Sequence, residues 1–304
     1  MIQSYRKSHL IQMCESDLYK FRTDDNKTQC TNCEARKTVE YRNLIVNHKF
    51  KFIFCIVPKI ASTQWKLVLG ALQSDMKDLG KENEGFLKPN KLWHASKEYK
   101  FERLSEFTSI DQAKIMRDYK KVIFVRHPLE RIISAFWSKF IERKSNYFID
   151  YPKIYGVSII KKFKLKSNKA STNRKYLHFY EFIKWLNLEN STELIRNRDL
   201  DSHWSPIYEI CHVCNKDFTF DFIGHFEHQR DDYQNFLDYI TNDFKNIPNL
   251  KKELFPWKDW PIRHSVSKNI SSMLLSQVNT LDLTEFYKSF HLDYLLFNYS
   301  YIYP

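Results

Sequence analysis

The chain has 304 residues, of which 43% are hydrophobic and 16% aromatic, which is enough for one large α/β domain or two small ones, and one domain with insertions is favoured. Its 48 basic side chains outnumber its 36 acidic ones, and the net charge of +12 predicts an acidic partner: nucleic acid, a nucleotide, an anionic membrane or an acidic polysaccharide. No apolar run approaches the roughly 18 residues of a membrane-spanning helix, and residues 1–20 are polar, so neither a membrane anchor nor a signal peptide is visible.

The N-terminal residues 1–43 are polar and show no clear periodicity, and we interpret them as a loosely structured arm before a single domain, residues 44–304. Six cysteines include two CxxC pairs, which begin at Cys30 and Cys211. Zinc-ribbon pairs lie about 15 to 20 residues apart, and these pairs are much farther apart, so a zinc site is disfavoured. Four N-x-[ST] sequons fit a secretory chain in which some cysteines form disulfides of undetermined pairing.

The first informative stretch, residues 51–72, combines a strand pattern with a helix pattern. Residues 52–57 form an unbroken apolar run, which predicts a buried strand, and Pro58 cannot extend a central strand. Apolar side chains then recur at the spacing of one helix face: Trp65, Val68, Leu69 and Leu72. A buried strand is therefore expected to run into an amphipathic helix.

The turn between this strand and helix, PKIASTQ, has the composition of an anion-binding loop. Ala61 and Ser62 are small enough to let a ligand approach the backbone, and Ser62 or Thr63 can cap the helix. Lys59 adds a full charge to the positive end of the helix dipole, so a phosphate or sulfate fits the turn. The Walker pattern is missing, which disfavours an ATP or GTP loop. The alternative is a capped strand–helix unit without a ligand.

A histidine lies between the first unit and the next. The stretch KLWHAS places His94 beside Trp93, ahead of a predicted helix over residues 110–119. A histidine next to an aromatic residue is usually packed in the core, so this stretch alone does not distinguish a catalytic His94 from a structural one.

The second strand–helix unit covers residues 120–140. Residues 122–125 predict a buried strand, and Pro128 suits a first helical turn. The predicted apolar helix face consists of Leu129, Ile132, Ile133, Phe136 and Phe140. Arg126 lies at the end of the strand, and Arg131 and Ser134 share a side of the helix away from that face. Two arginines and a hydroxyl near a helix start suit a second phosphate, and the alternative is a solvated face with ordinary ion pairs.

The C-terminal half contains a basic run and an aromatic region. Residues 151–180 hold no acidic side chain and many lysines, which indicates either a solvated loop or a track for a polyanion. Residues 201–227 are dense in His, Trp and Cys, and helical spacing is found around residues 179–186 and 233–240. Residues 255–267 are predicted to form a loop.

Together these segments resemble the Golgi carbohydrate sulfotransferases, specifically the family that contains the chondroitin and dermatan 4-O-sulfotransferases. CIVPKIASTQWKLVL resembles the 5′-phosphosulfate loop of that family, and FVRHPLERIISAFWSKF resembles its 3′-phosphate motif. Further matches, in family order, are YGVSIIKKFK, DSHWSPIYEICHVC, FDFIGHFE and YKSFHLDYLLFNY. Three positions depart from the usual pattern: Ser62 replaces a frequent cysteine, Gln64 a frequent asparagine, and His127 a usual acidic residue.

The resemblance implies the sulfotransferase fold, a P-loop-like parallel α/β sheet flanked by helices, with helical and loop insertions. It implies that the donor is 3′-phosphoadenosine 5′-phosphosulfate (PAPS), that no metal is required, and that the acceptor is a glycosaminoglycan or N-glycan rather than nucleic acid. It also implies a type II membrane protein of the Golgi lumen, attached through an anchor that this sequence does not show.

The resemblance assigns roles by position. The 5′ end of the donor would contact Pro58, Lys59, Ile60, Ala61, Ser62, Thr63, Gln64 and Trp65. Lys59 would act on the bridging oxygen of the leaving group, while Arg126 and Ser134 would bind the 3′-phosphate with support from Arg131. His94 is the predicted base, because related enzymes place a histidine between the two motifs, and His203 is the alternative. Residues predicted to contact the acceptor are His203, Trp204, Lys161 and Lys162.

Two other functions stay open at the level of sequence. A non-catalytic protein that binds heparin-like chains or nucleic acid would use the basic run as its functional surface, and it would be indifferent to the donor. A nucleotide kinase is disfavoured, because the Walker loop is missing and neither turn has an evident acidic magnesium site.

Overall fold

The computed structural model describes residues 2–16, 41–73, 100–142, 150–163, 176–191, 201–215, 219–241 and 266–302. A four-stranded sheet in the order β1-β2-β3-β4 lies at its centre. The strands are β1 Leu44–Asn47, β2 Phe52–Cys55, β3 Lys120–Val125 and β4 Phe222–His225. Strands β2, β3 and β4 are parallel, whereas β1 is antiparallel to β2. The predicted α/β fold with a parallel sheet flanked by helices is confirmed, and β1 adds an antiparallel edge.

Helices connect and flank these strands. They are α1 Ile2–Glu15, α2 Ser62–Gln73, α3 Ser109–Asp118, α4 Pro128–Phe136, α5 Val157–Phe163, α6 Phe179–Ser191, α7 Ile207–Ile210, α8 Gln229–Thr241, α9 Lys268–Leu275, α10 Thr280–Ser289 and α11 His291–Leu296. Two π-helical turns, Trp137–Ile141 and Pro152–Gly156, precede α5, and short 3₁₀ turns lie at Leu104–Glu106 and Phe226–His228. The predicted helix through residue 140 therefore changes to a wider π turn after Phe136.

The register of the parallel strands brings three strand ends to one edge of the sheet. Cys55 pairs with Ile123, and Val125 pairs with His225. The segments that follow β2, β3 and β4 therefore leave the sheet at the same edge. In open α/β sheets, ligands bind at the carboxyl ends of the strands.

The core consists of two apolar clusters. One covers the sheet, where Trp65 packs against Phe124 with ring centroids 4.3 Å apart. Gly224 on β4 allows this packing, because a Cβ atom there would come within 2.1 Å of the Phe124 ring. The other cluster joins helices α4, α6 and α10 around buried Phe182 and Trp204. The strand–helix units thus rest on a packed layer that fixes their turns.

The structure shows a helix in part of the N-terminal segment for which the sequence predicts a loosely structured arm, and residues 17–40 of that segment lie outside the described residues. Residues 2–15 form helix α1, which packs against β4 and α11. Arg6 forms a buried ion pair with Asp232 at 2.8 Å, and Lys7 pairs with Asp221 at 2.7 Å. Long-range polar contacts hold this helix in place of a broad apolar face. Its sequence therefore lacks the apolar periodicity that predicts a helix.

Two disulfides connect distant parts of the chain. Cys55 on β2 is bonded to Cys211, and Cys14 on α1 is bonded to Cys214. The CxxC pair at Cys211 therefore serves two disulfides, and a zinc site at this pair is excluded. The other CxxC pair, at Cys30, lies outside the described residues.

The described residues contain neither a metal-binding cluster nor a membrane-spanning helix. No group of three or more His, Cys, Asp or Glu side chains there is arranged to hold a metal ion. Within the same residues, no helix combines the length and apolar character that crossing a membrane requires.

Candidate active site

The two predicted anion-binding turns meet at the carboxyl edge of the sheet. The guanidinium of Arg126, at the end of β3, donates from Nη1 to the carbonyl oxygen of Lys59 at 3.0 Å. Strands β2 and β3 are hydrogen-bonded neighbours, which explains why segments 67 residues apart in sequence come into contact. One ligand with two anionic ends can therefore reach both turns.

The backbone of the first turn adopts an uncommon conformation. Lys59 has a φ of 70° and Ala61 a φ of 53°, so two residues with side chains lie in the left-handed region. Helix α2 begins at Ser62, and the first hydrogen bond back into the turn runs from the Trp65 N–H to the Ala61 carbonyl at 3.0 Å. The first N–H groups of a helix have no carbonyl partner within it and attract anions. Strained backbone of this kind clusters at ligand sites.

The side chains of this turn divide into two groups. Pro58, Lys59, Ala61, Ser62, Thr63 and Gln64 are partly or fully exposed. Ile60 and Trp65 are buried, and Trp65 packs against Phe54 at 4.7 Å between ring centroids. The structure therefore gives Ile60 and Trp65 a packing role beneath the turn, and the other six residues line its accessible side.

Arg126 is largely withdrawn from solvent, with only 5% of its surface exposed. Its guanidinium stacks on the ring of Phe226 at 4.5 Å and lies 3.9 Å from a carboxylate oxygen of Glu130. Burial lowers the pKa of Arg126, and the carboxylates of Glu130 and Glu227 oppose this effect. A buried guanidinium beside a helix start is a strong recognition group for phosphate.

Arg131 has a different environment from Arg126, although both were predicted near the 3′-phosphate. Its side chain is fully buried and donates to carbonyl oxygens of the loop that carries His203: Ser202 at 3.4 Å, His203 at 3.3 Å, and Ser205. Burial lowers the pKa of Arg131 to about 10, and Asp293 opposes this shift. Ser134, on the same helix, is also buried. Arg131 thus supports the His203 loop.

The other end of that loop is held by Asp293 on α11. Its carboxylate accepts the N–H groups of Ile207 at 2.7 Å and Tyr208 at 2.9 Å. Burial raises the pKa of Asp293 to about 6, although Arg131 and these two hydrogen bonds favour the ionised form. Residues 201–208 are therefore fixed from both sides by buried charged groups.

His203 forms a hydrogen-bonded group with Asp201 and Tyr151. The Nδ1–H of His203 donates to Oδ1 of Asp201 at 2.5 Å, and the Tyr151 hydroxyl donates to Oδ2 of Asp201 at 2.9 Å. An ionised carboxylate only accepts hydrogen bonds, so Nδ1 carries the ring proton and Nε2 holds the lone pair. Nε2 has no hydrogen-bond partner among the described residues.

Burial and two nearby lysines favour the neutral form of His203. Burial lowers the pKa of His203, the hydrogen bond to Asp201 opposes this effect, and the ammonium groups of Lys139 and Lys59 lower the pKa further. Lys139 stacks on the Tyr151 ring at 4.4 Å. Burial acts to raise the pKa of Asp201, but hydrogen bonds from His203 and Tyr151 outweigh it and lower the pKa. Lys59 of the first turn is therefore within electrostatic range of a neutral imidazole.

The remaining predicted site residues lie elsewhere. Trp204 is buried among aromatic rings, including Tyr155 at 5.0 Å, so its side chain belongs to the core. Lys161 and Lys162 are exposed on α5. His94 and its neighbours lie outside the described residues, and the prediction of His94 as the base stays a prediction.

Sequence reasoning missed three residues of this region. Asp201 stands two positions before His203, and this short spacing was the one signal that could have revealed the pair. Tyr151 lies 50 residues away from Asp201 and gave no local signal. Glu227, whose carboxylate bonds the backbone beside Arg126, was part of a matched motif without an assigned role.

Comparison with known proteins gives consistent results. The family model described as "Sulfotransferase family" matches residues 42–300. The chain is 31% identical to human carbohydrate sulfotransferase 9, over 84% of this chain and 53% of that protein. It is 30% identical to mouse carbohydrate sulfotransferase 8, over 88% of this chain and 59% of that protein, and 25% identical to mouse carbohydrate sulfotransferase 11, over 86% and 68%. The chain thus spans about half to two thirds of these relatives. No solved structure shows significant similarity.

Proposed function

The chain belongs to the sulfotransferase family, and from this premise we propose that it transfers a sulfuryl group from PAPS to a hydroxyl group of a carbohydrate. The observation that carries the proposal is the contact between Arg126 and the Lys59 carbonyl, which joins two anion-binding turns at one sheet edge. PAPS has a phosphosulfate at one end and a phosphate at the other, so it matches this pair of turns. The curated relatives are named carbohydrate sulfotransferases, which supports a carbohydrate acceptor.

The donor is assigned to the turns by charge and geometry. The phosphosulfate end would bind the N–H groups at the start of α2, the Ser62 and Thr63 hydroxyls and the Lys59 ammonium. The 3′-phosphate would bind Arg126, which precedes the start of α4, and the Ser134 hydroxyl in the second turn of that helix. Both contacts replace water around a phosphate by fixed donors, as helix N-termini do at other nucleotide sites.

We assign the base to His203 in this proposal. As the acceptor oxygen forms its bond to sulfur, the bond from sulfur to the bridging oxygen breaks, and the acceptor proton passes to Nε2 of His203. Asp201 would stabilise the imidazolium that forms, and Lys59 would stabilise the negative charge on the departing phosphate oxygen. The contacts of His203 with Asp201 and Tyr151 suit this role, and His94 is the alternative base.

The acceptor is proposed to be a glycan of glycosaminoglycan or N-glycan type. Lys161 and Lys162 are exposed on α5 and would attract an anionic chain, although neither contacts the His203 group directly in the described residues. Two disulfides among the described residues fit an oxidising compartment such as the Golgi lumen.

The experiment that tests this function measures transfer of labelled sulfate from PAPS to desulfated chondroitin, dermatan, heparan and N-glycan acceptors. Activity on any acceptor is expected, together with its loss in Lys59→Ala and Arg126→Ala. The Lys114→Ala variant, which removes an exposed lysine on α3 outside the turns and the basic run, is the matched control and should keep activity. Salt-sensitive binding to these polymers without transfer and without affinity for the donor would contradict the proposal and favour a polyanion-binding protein.

A further inference from the structure

The turn that follows β4 contains a carboxylate that the proposed chemistry does not use. Glu227 lies in the 3₁₀ turn Phe226–His228, at the same edge of the sheet as the two anion-binding turns. Its Oε1 atom accepts the backbone N–H of His127 at 2.8 Å. Its Oε2 atom accepts the hydroxyl of Tyr299 at 2.8 Å. One carboxylate therefore connects the end of β4, the end of β3 and the C-terminal segment.

We propose that Glu227 is a positioning residue that fixes the peptide between Arg126 and His127, so that Arg126 is held ready for the 3′-phosphate of the donor. The inference rests on the proposed function, because it presumes a nucleotide with a 3′-phosphate. The turn after β4 would then contribute to recognition of the 3′-phosphate, whereas the first turn binds the phosphosulfate end.

The backbone geometry at this corner supports the role of Glu227. His127 directly follows Arg126 and is the N-cap residue of α4, and its side chain makes no capping hydrogen bond. The Glu227 carboxylate holds the His127 N–H, while the His127 ring bonds through Nε2 to the Ser300 carbonyl at 3.0 Å. His127, the residue after Arg126, is thus held through its backbone by Glu227 and through its ring by the C-terminal segment.

The placement of charge at this corner also suits phosphate binding. The Arg126 guanidinium is positioned by the Phe226 ring at 4.5 Å and by the Lys59 carbonyl at 3.0 Å. Burial lowers the pKa of Arg126, and the charge of Glu227 opposes this shift from a short distance away. The hydrogen bonds of the Glu227 carboxylate go to the His127 N–H and the Tyr299 hydroxyl. A carboxylate hydrogen-bonded to the guanidinium would compete with phosphate, whereas Glu227 binds the neighbouring backbone instead. The Glu130 carboxylate oxygen lies 3.9 Å from the guanidinium, beyond hydrogen-bond distance.

Tyr299 keeps the Glu227 carboxylate in place. Burial and the neighbouring Glu227 carboxylate raise the pKa of Tyr299 well above its ordinary value, so its hydroxyl stays protonated and remains a donor. The Tyr299 ring also packs edge-to-face against the His127 ring, with centroids 5.4 Å apart. The aromatic residue near the C-terminus therefore acts on Arg126 through two intermediates, Glu227 and His127.

The test compares two ligands that differ in the group Arg126 would bind. Adenosine 3′,5′-bisphosphate has the 3′-phosphate, and adenosine 5′-phosphate lacks it. By titration calorimetry, Glu227→Ala is expected to weaken binding of the bisphosphate about 10- to 100-fold, the range for loss of a charge-assisted hydrogen bond, and to leave the 5′-phosphate within about twofold. Glu227→Gln keeps an oxygen for the His127 N–H and should recover binding to within about threefold of the wild type.

Further variants separate positioning from folding. Glu285→Ala removes an exposed carboxylate that pairs with Lys288, and it should change neither affinity. Tyr299→Phe removes one anchor of the Glu227 carboxylate and should weaken bisphosphate binding about threefold. It tests the inference on its own in the event that Glu227→Ala does not fold, and unchanged bisphosphate binding in Tyr299→Phe would then overturn the inference.

The outcomes distinguish the inference from the function on which it rests. The positioning role would be overturned if Glu227→Ala weakened the binding of both ligands equally. It would also be overturned if Glu227→Gln bound the bisphosphate as weakly as Glu227→Ala. Unchanged affinity for the bisphosphate in Glu227→Ala would overturn it as well, while the proposed function would stand. A wild-type protein that does not bind the bisphosphate at all would overturn the proposed donor and the inference together.

Discussion

His203 lies between charges of both signs, and the balance between them sets its protonation state. Asp201 bonds its Nδ1–H and favours the imidazolium, whereas burial and two lysines favour the neutral ring. A general base must be neutral before it takes a proton and must tolerate a positive charge afterwards. Lys59 and Lys139 act through space and help to keep the ring neutral before the transfer. Asp201 is hydrogen-bonded to the ring and stabilises the positive charge that forms afterwards.

Removal of the proposed base is expected to affect turnover and not donor binding. His203→Ala should lower kcat by about 10²- to 10⁴-fold, the usual contribution of a general base, and leave the affinity for adenosine 3′,5′-bisphosphate unchanged. His178→Ala, which removes an exposed histidine, is the matched control and should retain turnover. Normal turnover in His203→Ala combined with its loss in His94→Ala would transfer the role of base to His94.

The position of Lys139 near His203 leads to a prediction about the pH dependence of kcat. Burial holds the pKa of His203 below its ordinary value, and the Lys139 ammonium lowers this pKa further because a nearby cation disfavours the imidazolium. Lys139→Met removes this cation while Asp201, Tyr151 and Lys59 remain, so the pKa of His203 should rise. The acidic limb of the kcat profile should then move to higher pH, measured between pH 5 and 8. A limb that stays in place or moves to lower pH would contradict this electrostatic coupling.

The strand–helix units are the elements that local sequence determined well. Strands β2 and β3 are buried apolar runs, and helices α2 and α4 have apolar faces with regular spacing, so each was predicted from its own residues. The two turns followed from the same units. Helix α1, strand β1 and the Tyr151 contact with Asp201 depend on residues far away in sequence, and no local pattern encodes them. Long-range packing therefore decided what the sequence left open.

The disulfide between Cys55 and Cys211 connects two elements of the candidate site. Cys55 ends β2, which leads into the first turn, and Cys211 follows the loop that carries His203. The bond thus links the donor turn to the proposed base, whereas the bond between Cys14 and Cys214 fastens helix α1. The two disulfides should therefore differ in their effect on turnover.

Cys55→Ala/Cys211→Ala and Cys14→Ala/Cys214→Ala are each expected to lower the free energy of unfolding by about 2–5 kcal/mol, because both close long loops. The first pair should also lower kcat, since the donor turn and His203 lose a covalent connection. The second pair is the control and should keep kcat under conditions where the protein remains folded. Urea unfolding and turnover assays check both, and an equal loss of kcat in the two pairs would show that stability alone is affected.

At the scale of the whole molecule, the net positive charge and the buried ion pair between Arg6 and Asp232 have different roles. The net charge of +12 attracts an anionic partner, and this attraction is screened by salt. Buried Arg6 and Asp232 have a structural role instead. The Arg6 guanidinium also donates to the Ile223 carbonyl at 2.9 Å, and Asp232 accepts the His225 N–H at 2.7 Å. This pair joins α1, β4 and α8 at the strand that precedes Glu227.

Arg6→Ala is expected to lower the free energy of unfolding by about 3–5 kcal/mol, because it leaves the Asp232 carboxylate buried without its charge partner. Lys288→Ala removes an exposed partner of Glu285 and is the control, with a loss below about 1 kcal/mol. Urea unfolding at two salt concentrations measures both variants. The difference between wild type and Arg6→Ala should persist at high salt, because a buried pair is poorly screened, whereas any effect of Lys288→Ala should shrink. A loss in Arg6→Ala as small as that of the control would mean that α1 is not anchored to the sheet through this pair.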